Sequence, residues 1–508
     1  MLVLGPTSGC LYGPAVESAL GACLPGCPDG ASCLATAGGG ECVSNAERCA
    51  PGAFIGGPST CGVGACKAEG RASCVEGRVV DSCQPLAPTT DVDATCDGVD
   101  DDCDGQVDED VAAPRVTKLA AFGVNTCAVV EDGKLYCWGG RNEDGQLGLG
   151  HTRRVGEVDT PADAGLVPLG EARVVDVSVG NWQTCALLEG GALRCWGANQ
   201  DGTLGLPGRP TSASLGDDEP VTSAPPIEGL GVVTQVSVGW GHVCALNSHN
   251  EVFCWGGNRD GVLGLGHTRP VSTPGPAARV SVGGLVTRLR ANGTATCVVL
   301  SGGSARCWGQ GTAQMYGREV DVGVADTPAQ AGDVLGLDEV ADIWGGTHGC
   351  ALLVTGDVRC WGSNWGGMLG AGHDGPVYAP SAAPYVTLPR PATALAYATI
   401  RSCARLDTGA VQCWGKDTWS YLGHPERGDI GDDELVRDTP PVDLGGPVSD
   451  IVITDHGCAV MANGDVRCFG SGASGALGRG DVAFIGDDES PADVEPVPIA
   501  WRCPTRTP

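Results

Sequence analysis

The chain has little positive charge, few phenylalanines and no long apolar run. Lysine and arginine together number 31 of 508 residues, whereas aspartate and glutamate number 61, so the formal net charge is −30. A phosphate backbone would be repelled by most of such a surface, and we do not expect a nucleic-acid partner. No apolar stretch is long enough for a membrane-spanning helix. Contact with a membrane would therefore require a lipid anchor.

What the chain does have is glycine, proline and cysteine. Glycine occurs 82 times and proline 34 times, which indicates many turns. With 42% hydrophobic and only 18% charged residues, the chain can bury a core. Cysteine occurs 27 times, and in a reducing cytosol these residues would remain thiols without forming disulfides. We therefore expect an exported protein, extracellular or at the cell surface.

The amino terminus bears on the route of export. We interpret residues 1–9 as the remnant of an export signal, although a basic first segment is lacking. The run Thr7-Ser-Gly-Cys10 resembles a degenerate lipidation motif, in which Cys10 would carry the lipid. Lipidation would leave an even number of cysteines for pairing. The alternative is that Cys10 is one more disulfide partner.

One unit recurs seven times along the chain. Each copy contains two cysteines separated by nine residues, and Trp-Gly follows the second cysteine in six copies, with Phe469-Gly in the last. A repeat of 53–59 residues predicts an array of similar supersecondary units. The pairs are Cys127 with Cys137, Cys185 with Cys195, Cys244 with Cys254, Cys297 with Cys307, Cys350 with Cys360, Cys403 with Cys413, and Cys458 with Cys468.

Within one unit the sequence predicts a hairpin closed by a disulfide. Residues 185–195 read as a strand, a glycine turn and a second strand, which places Cys185 opposite Cys195. Residues at such a non-hydrogen-bonded pair lie close enough for a disulfide. Metal binding is a poor alternative, because two cysteines of one hairpin supply two ligands and no recurrent histidines complete a site.

Both faces of these strands are apolar, so each sheet must be covered on both sides, as the blades of a propeller are. With these repeats, residues 115–500 resemble the regulator of chromosome condensation repeat family. The resemblance implies an all-β, seven-bladed β-propeller whose members have varied binding roles, and we transfer no catalytic residue from it. The tail 489–499 matches the segments between repeats, and we expect it to return to the first blade and close the ring.

The amino-terminal part is predicted to be disulfide-rich, with little regular structure. Residues 10–90 resemble cysteine-rich stalk modules of bacterial surface proteins. Residues 91–114 form an acidic linker, and residues 501–508 are a short tail in which Cys503 is available to pair with an upstream cysteine.

The acidic linker carries the sharpest chemical signal. Its carboxylates alternate as in the first part of an EF-hand loop, and it resembles a metal-binding motif of bacterial proteins. Hard oxygen ligands favour calcium. Val111 stands where an EF-hand has a bidentate glutamate, and the alternative is a solvated acidic linker in which Cys96 and Cys103 form an ordinary disulfide. The predicted ligands are Asp100, Asp102, Asp104, Gln106 through its main-chain carbonyl, Asp108 and Glu109.

Three further sets of residues are candidates for binding. Gly-Asp-Asp-Glu occurs at 216–219, 431–434 and 486–489, either as a turn device or as a site for a cation or a basic partner. His242, His348 and His456 stand two residues before a repeat cysteine and would hold a metal only if they lined a narrow channel; hydrogen bonding is the default. An aromatic recognition surface or packing between blades would use Trp182, Trp240, Trp344, Trp365 and Trp419.

Together these features predict an exported, monomeric, non-enzymatic scaffold that presents propeller loops to a protein or a glycan at the bacterial surface. The alternatives are an exported hydrolase or lyase acting at one propeller face, or a calcium-dependent structural or adhesion component. Carboxylates or histidines clustered in the central funnel would favour the enzyme. Motifs of the common hydrolases and nucleotide-binding enzymes are absent from the sequence.

Overall fold

The structure is a computed structural model of the chain. It describes residues 11–12, 31–36, 39–44, 54–61, 64–75, 78–88, 100, 102–103, 114–312, 320–346, 348–418, 420–425 and 428–499. The chain divides into two compact units, Met1–Ala113 with Trp501–Pro508, and Pro114–Ala500.

The first unit has more regular structure than its sequence predicts. One sheet has the order β1-β4-β5-β6, and β2 pairs with β3 as a separate hairpin. The strands are β1 Leu11–Tyr12, β2 Ala31–Thr36, β3 Gly39–Ser44, β4 Phe54–Cys61, β5 Ala68–Val75 and β6 Arg78–Asp81, with a 3₁₀ turn at Gly64–Cys66. Disulfide-stapled modules need little apolar core, so their strands lack the alternating pattern that would have revealed them.

The second unit is a seven-bladed propeller, as the repeats predict. Blades 1 to 4 contain β7 Val116–Phe122, β8 Asn125–Val130, β9 Leu135–Gly139; β10 Val174–Val179, β11 Gln183–Leu188, β12 Leu193–Gly197; β13 Val233–Val238, β14 His242–Asn247, β15 Val252–Gly256, β16 Arg279–Val280; and β17 Val286–Asn292, β18 Ala295–Leu300, β19 Ala305–Gly309. Blades 5 to 7 contain β20 Val340–Trp344, β21 His348–Leu353, β22 Val358–Gly362; β23 Ala392–Ala398, β24 Arg401–Leu406, β25 Val411–Gly415; and β26 Val448–Ile453, β27 His456–Met461, β28 Val466–Gly470.

Short helices lie between the strands of neighbouring blades. Two are α-helical turns, α1 Pro161–Ala164 and α2 Pro328–Ala331, each beginning with proline after a capping threonine. The 3₁₀ turns are Gln200–Gly202, Val221–Ser223, Pro276–Ala278, Pro380–Ala382, Val436–Asp438, Ala473–Gly475 and Pro491–Asp493. None of the helices in the described residues has the length and apolarity needed to cross a bilayer.

Each hairpin of the propeller has the predicted register. In blade 2, Cys185 pairs with Cys195 and Ala186 pairs with Arg194. The main-chain N–H of Leu188 donates to the carbonyl of Ala192 at 2.8 Å, which closes the three-residue turn. The alternation of large and small residues across the hairpin is therefore a direct result of this pairing.

All seven cysteine pairs of the repeats are bonded, with Cα atoms 4.0–4.1 Å apart. Each disulfide joins the second and third strands of one blade, so no disulfide of the propeller joins two blades. The bonds are Cys127 to Cys137, Cys185 to Cys195, Cys244 to Cys254, Cys297 to Cys307, Cys350 to Cys360, Cys403 to Cys413, and Cys458 to Cys468.

The tail does not become part of the first blade's sheet. The N–H of Val497 donates to the carbonyl of Val466 in blade 7 at 2.8 Å, just as Val167 donates to Leu135 at 2.9 Å within blade 1. Segments of this kind thus complete the outer edge of their own blade, and the tail completes blade 7. Among the tail's main-chain bonds, that from the N–H of Ala162 to the carbonyl of Pro498, at 3.0 Å, reaches blade 1.

The ring is closed by contacts that recur between neighbouring blades. The repeat tryptophans are buried, and four of them donate Nε1 to a carbonyl in the loop of the preceding blade at 2.8–3.0 Å: Trp138 to Ala476, Trp196 to Gln146, Trp255 to Thr203 and Trp308 to Val262. The glycine of the Leu-Gly pair permits this approach. A Cβ on Gly148 would lie 2.5 Å from Nε1 of Trp196, and the glycine also has a φ of +73°.

Candidate functional site

The first strands of the seven blades surround a central channel. All seven blades contribute to its lining, and its volume is about 420 Å³. We call one end of the propeller the upper face: there the first and second strands of each blade are joined, at residues 123–124, 180–182, 239–241, 293–294, 399–400 and 454–455, and in blade 5 by a turn of which residues 345–346 are described. The lower face is the opposite end, with the turns between second and third strands.

Charged side chains line the channel in pairs. Lys118 of blade 1 lies 3.1 Å from a carboxylate oxygen of Asp176 in blade 2. Arg290 of blade 4 holds Asp342 of blade 5 through two hydrogen bonds of 2.9 and 2.6 Å. These carboxylates are therefore engaged with cations of a neighbouring blade, which ties blades together as well as lining the channel.

Blade 7 contributes two further carboxylates to the lining, Asp450 and Asp455, of which Asp450 is the more deeply placed along the first strand. Asp450 accepts from the N–H of Leu119 in blade 1 at 3.1 Å and from its own neighbour Ile451 at 3.0 Å. Burial raises its pKa, while the Leu119 N–H and Lys118 act in the opposite direction. Ala394 and Ala396 of blade 6 lie in the lining as well, together with Tyr397 and Arg401 of the same blade.

The three histidines lie between blades and form no metal site among themselves in the described residues. Nε2 of His242 lies 2.9 Å from Oγ1 of Thr296 in the next blade, and Nε2 of His456 lies 2.7 Å from Oγ1 of Thr126. The third, His348, instead contacts Tyr397, whose hydroxyl donates to the His348 carbonyl at 2.5 Å. Burial lowers the pKa of each histidine to about 4. They are neutral links between neighbouring blades.

Exposed tryptophans distinguish the upper face. Trp182 and Trp240 occupy the strand-joining turns of blades 2 and 3 and are 38% and 48% exposed. Trp240 also lines the channel. Arg141 of blade 1 stacks on Trp182, with its guanidinium carbon 4.9 Å from the ring centroid, and donates to Oδ1 of Asn181 at 2.5 Å. The rings are thus held in place beside the channel mouth.

The other predicted tryptophans have different surroundings. Trp365, in the loop after the third strand of blade 5, is 62% exposed and lies under Nζ of Lys416 at 5.0 Å. Trp344 is partly buried in the channel, where its ring stacks on Tyr397 at 6.0 Å. Trp419 lies outside the described residues. The aromatic surface of the upper face therefore consists of Trp182, Trp240 and Trp365.

Blade 6 places a buried cation at the channel mouth. Arg401 is 1% exposed, stacks on Tyr421 at 3.9 Å and donates to the carbonyl of Thr454 at 3.1 Å. Burial lowers its pKa to about 10, against the attraction of Asp455. Its position in the repeat is the one occupied by histidine in blades 3, 5 and 7. Blade 6 therefore has a cation where those blades have a neutral ring.

The Gly-Asp-Asp-Glu loops bring three carboxylates together. In each group the oxygens lie within 4.8 Å of one another, and these are the groups in the described residues with a spacing that suits a cation. In the loop 216–219 the charge is offset by Arg209, which lies 2.7 Å from Glu219. In the loop 486–489, burial and the hydrogen bond between Glu489 and Asp488 raise the pKa of Glu489 to about 7. A shared proton there relieves the repulsion.

The cysteine pairing predicted for the acidic linker is wrong. Cys103 is bonded to Cys66 and not to Cys96. The N–H of Ala65 donates to the carbonyl of Asp100 at 2.8 Å, so the linker lies against the 3₁₀ turn that ends at Cys66. This contact brings the two cysteines to a Cα separation of 6.0 Å. A second disulfide of this unit joins Cys61 to Cys83.

Two of the six predicted calcium ligands are described. Asp100 is buried and Asp102 is partly buried. Carboxylate oxygens are the ligands that calcium takes in proteins, so these two side chains are of the type that a calcium site uses. The predicted ligands Asp104, Gln106, Asp108 and Glu109 lie outside the described residues, as do Cys10, Cys96 and Cys503.

The residue before the second repeat cysteine has a role that the sequence did not reveal. Its large-small pairing across the hairpin is present, but the long side chain also reaches an outer segment, either that of its own blade or that of the preceding blade. Four arginines at one repeat position were the available signal. Arg194 donates to the carbonyl of Ala224, Arg359 to that of Gly336 at 3.0 Å, and Arg467 to that of Ala492 at 3.0 Å.

Known proteins resemble the propeller in sequence. The Regulator of chromosome condensation (RCC1) repeat matches residues 132–187 and 191–246, and a second description of this repeat matches 174–203 and 233–262. The RCC1 domain-containing protein RUG3, mitochondrial, of Arabidopsis thaliana is 32% identical over 200 residues, covering 38% of this chain and 42% of that protein. The Ultraviolet-B receptor UVR8 of Arabidopsis thaliana is 25% identical over 403 residues, covering 74% and 82%.

Solved structures show the same architecture. Yeast RCC1 (Prp20), in a crystal structure with Kap60, matches with a TM-score of 0.57 and 21% identity, over 71% of this chain and 83% of that one. At this identity the match establishes the fold.

Proposed function

We propose that the chain, which carries a seven-bladed propeller of regulator of chromosome condensation repeats, is an exported, non-enzymatic scaffold of the bacterial surface. Its partner is a protein or a glycan, which it binds through the upper face. Seven disulfides inside the blades favour an oxidising compartment.

The observation that carries the proposal is the contrast between two sets of tryptophans. The repeat tryptophans are buried between blades, whereas Trp182, Trp240 and Trp365 expose 38–62% of their surface on one face. Exposing a large aromatic ring to water is unfavourable, and packing between blades does not account for the exposure of these three rings. Tryptophan is enriched among residues that dominate binding, and it also stacks on sugar rings.

The scaffold holds these rings in defined positions. Trp240 is anchored by its main-chain N–H, which donates to the carbonyl of Gly293 in the next blade at 2.9 Å. Trp182 lies under Arg141, whose main-chain N–H is bonded to Oδ1 of Asn125 at 3.0 Å. A binding surface ordered in advance loses little conformational entropy on association, which favours affinity.

The relatives support a receptor or binding role for such propellers. One is described as a receptor for ultraviolet-B, and the structure of yeast RCC1 holds it bound to Kap60. Neither description extends to the ligand of this chain. The amino-terminal unit would act as a stalk, with Asp100 and Asp102 in a calcium loop and Cys10 as a lipid anchor, and the protein would act as a monomer.

The test is capture with the full-length chain and a matched pair of variants. Wild-type protein is immobilised and exposed to surface proteins, culture proteins and a glycan array, and each bound species is identified and purified. We expect W182A/W240A to lose at least ten-fold in affinity for the purified ligand, which corresponds to about 1.4 kcal/mol. Binding by the variant at wild-type affinity would contradict the proposal.

The control changes the opposite end of the propeller. Leu285 and Leu335 are exposed and lie at the lower face, beside the turn 301–303 of blade 4 and the outer segment of that blade. We expect L285A/L335A to bind as the wild type does. If this variant alone loses binding, the lower face is the recognition surface.

An enzyme remains the second candidate because four carboxylates line the channel, those of Asp176, Asp342, Asp450 and Asp455. Asp176 and Asp342 are held by cations, but Asp450 has a raised pKa and no ion pair among the described residues. A carboxyl group of this kind is suited to general acid catalysis. Turnover of a polysaccharide or peptide substrate by wild-type protein, lost in D450N but retained in W182A/W240A, would establish the enzyme in place of the scaffold.

A further inference from the structure

In four blades, the side chain of one asparagine is hydrogen-bonded to two stretches of the loop that follows the third strand. Its Oδ1 accepts the N–H five residues downstream at 2.9–3.1 Å, and its Nδ2 donates to the carbonyl eleven residues downstream at 2.7–3.2 Å. Each amide therefore pins two stretches of one loop. The asparagines are Asn142, Asn199, Asn258 and Asn364, which accept from Leu147, Leu204, Leu263 and Leu369 and donate to Arg153, Pro210, Arg269 and Gly375.

Blade 6 has an aspartate at this position. Oδ1 of Asp417 accepts from the N–H of Leu422 at 3.1 Å, as the asparagines do with their leucines. Its Oδ2 takes the place of the amide nitrogen, is buried and has no hydrogen-bond partner within the described part of the chain. An ionised carboxylate can only accept hydrogen bonds, so it cannot make the bonds that Nδ2 makes in the other blades.

The groups that face Asp417 do not supply the missing donor. Arg401 attracts its charge but forms no ion pair with it among the described contacts, and Asp429 repels it. Asp429 is itself occupied, since its Oδ2 accepts from Nζ of Lys416 at 2.6 Å and its Oδ1 accepts from the N–H of Asp417 at 2.9 Å. The main-chain N–H groups of Tyr421 and Leu422 favour the ionised form. Burial is the largest influence and raises the pKa of Asp417 to about 6.

We propose that protonation of Asp417 controls a hydrogen bond that holds the loop after the third strand of blade 6. We call Asp417 the fastener of this loop. With a proton on Oδ2, the carboxylic acid donates as the asparagine amides do and pins the loop. Without the proton, the donor is lost and a buried charge remains, so the side chain of Asp417 holds the loop only through its bond from the Leu422 N–H. The structure describes residues 416–418, 420–425 and 428–430 of this loop.

The fastener has a consequence for recognition. Lys416, next to Asp417, stacks on the exposed ring of Trp365 in blade 5. A change in the loop therefore reaches the aromatic surface of the upper face. This consequence rests on the proposed function, whereas the fastener itself rests on the comparison between blades.

Thermal unfolding of the full-length chain tests the fastener. The variant D417N places in blade 6 the amide that four of the other six blades have. Ionisation disfavours the folded wild type, so its stability relative to D417N is lost as pH rises from about 4 through about 6. We expect the two midpoints to coincide at about pH 4.5 and D417N to unfold several degrees higher at about pH 8.

Two further variants keep the test decisive. N199D installs an aspartate at the equivalent position of blade 2 and should create the same pH-dependent loss there. D417A removes the acceptor of the Leu422 N–H as well, and should lower the midpoint at every pH. Taking differences from wild type removes the contributions of other titrating groups, such as His242 and Glu489.

The proposal is overturned if wild type and D417N show parallel midpoints between about pH 4.5 and pH 8. It is also overturned if calcium or sodium chloride at fixed pH removes the difference, because Oδ2 would then hold a metal ion. A pH-dependent difference supports the fastener even if W182A/W240A binds normally. The two proposals therefore fail separately.

Discussion

The indole Nε1 of Trp138 in blade 1 donates a hydrogen bond of 3.0 Å to the carbonyl of Ala476 in blade 7, 338 residues later in the chain. The same bond joins neighbouring blades elsewhere in the ring. The first and last blades are therefore joined by the contact that joins consecutive ones, without a strand exchanged between them. Closure is a property of the repeat.

Removing this bond should weaken the ring at its closure. In W138F the carbonyl of Ala476 loses its donor in a buried site, which costs about 1–3 kcal/mol. The control is W414F, because Nε1 of Trp414 has no hydrogen-bond partner in the described residues. Both variants lose the same volume, so we expect W138F to unfold at lower denaturant concentration than W414F. Equal midpoints would show that the bond contributes nothing.

The hairpin disulfides should each stabilise their own blade. In C185A/C195A the constraint on a sequence separation of 10 residues is lost, which costs up to about 3 kcal/mol. The Cα atoms are 4.0 Å apart and the strands are paired on both sides, so the blade should still form. Chemical denaturation under non-reducing conditions measures the loss, and retention of β-sheet circular dichroism checks the fold. Global loss of that signal would contradict a local role.

Acid should destabilise the propeller through its buried histidines. His242, His348 and His456 have folded pKa values of about 4, below the value of about 6.5 in an unfolded chain. The unfolded state binds more protons in this window, so stability falls as pH drops from about 6.5 to about 4, by about 1.4 kcal/mol per pH unit for each histidine. Urea unfolding at several pH values measures the slope.

A substitution already present in the repeat isolates one histidine. Gln183 of blade 2 occupies the position of His242 and His456, so H456Q should fold. We expect the unfolding free energy of H456Q to fall less in acid than that of the wild type. The difference is the contribution of one titrating histidine. A slope identical to the wild type would show that His456 does not titrate as described.

Calcium should stabilise the amino-terminal unit. Addition of calcium to metal-free protein is expected to raise the unfolding midpoint, because a ligand that binds the folded state stabilises it. The variant D102N/D104N should lose the effect, whereas D91N/D93N, which removes two neighbouring carboxylates outside the predicted ligand set, should keep it. If magnesium and calcium act alike, or if both variants respond as wild type, the linker is a solvated acidic segment.

The propeller could be predicted from the sequence because the features that indicate it are local and repeated. The spacing of Cys185 and Cys195 determines a hairpin register, and seven copies determine the number of blades. Strands buried on both faces then require stacking in a ring. The disulfides of the propeller follow from the same local geometry, which is why the spacing alone could indicate them.

Contacts between segments that are distant in the sequence could not be predicted from local patterns. Cys103 bonds to Cys66 because Asp100 is hydrogen-bonded to Ala65, a relation that no local pattern contains. The exposure of Trp182 is set by its position in the ring. The unusual aspartate of blade 6, Asp417, became meaningful only when the hydrogen bonds of the other blades could be compared with its own.

The most direct test of the account is the dissociation constant of the purified ligand for the full-length chain, compared with W182A/W240A and L285A/L335A by calorimetry. We expect the upper-face variant to bind at least ten-fold more weakly and the lower-face variant to bind as the wild type does. Wild-type affinity in W182A/W240A, with both variants folded by circular dichroism, would contradict recognition through the upper face.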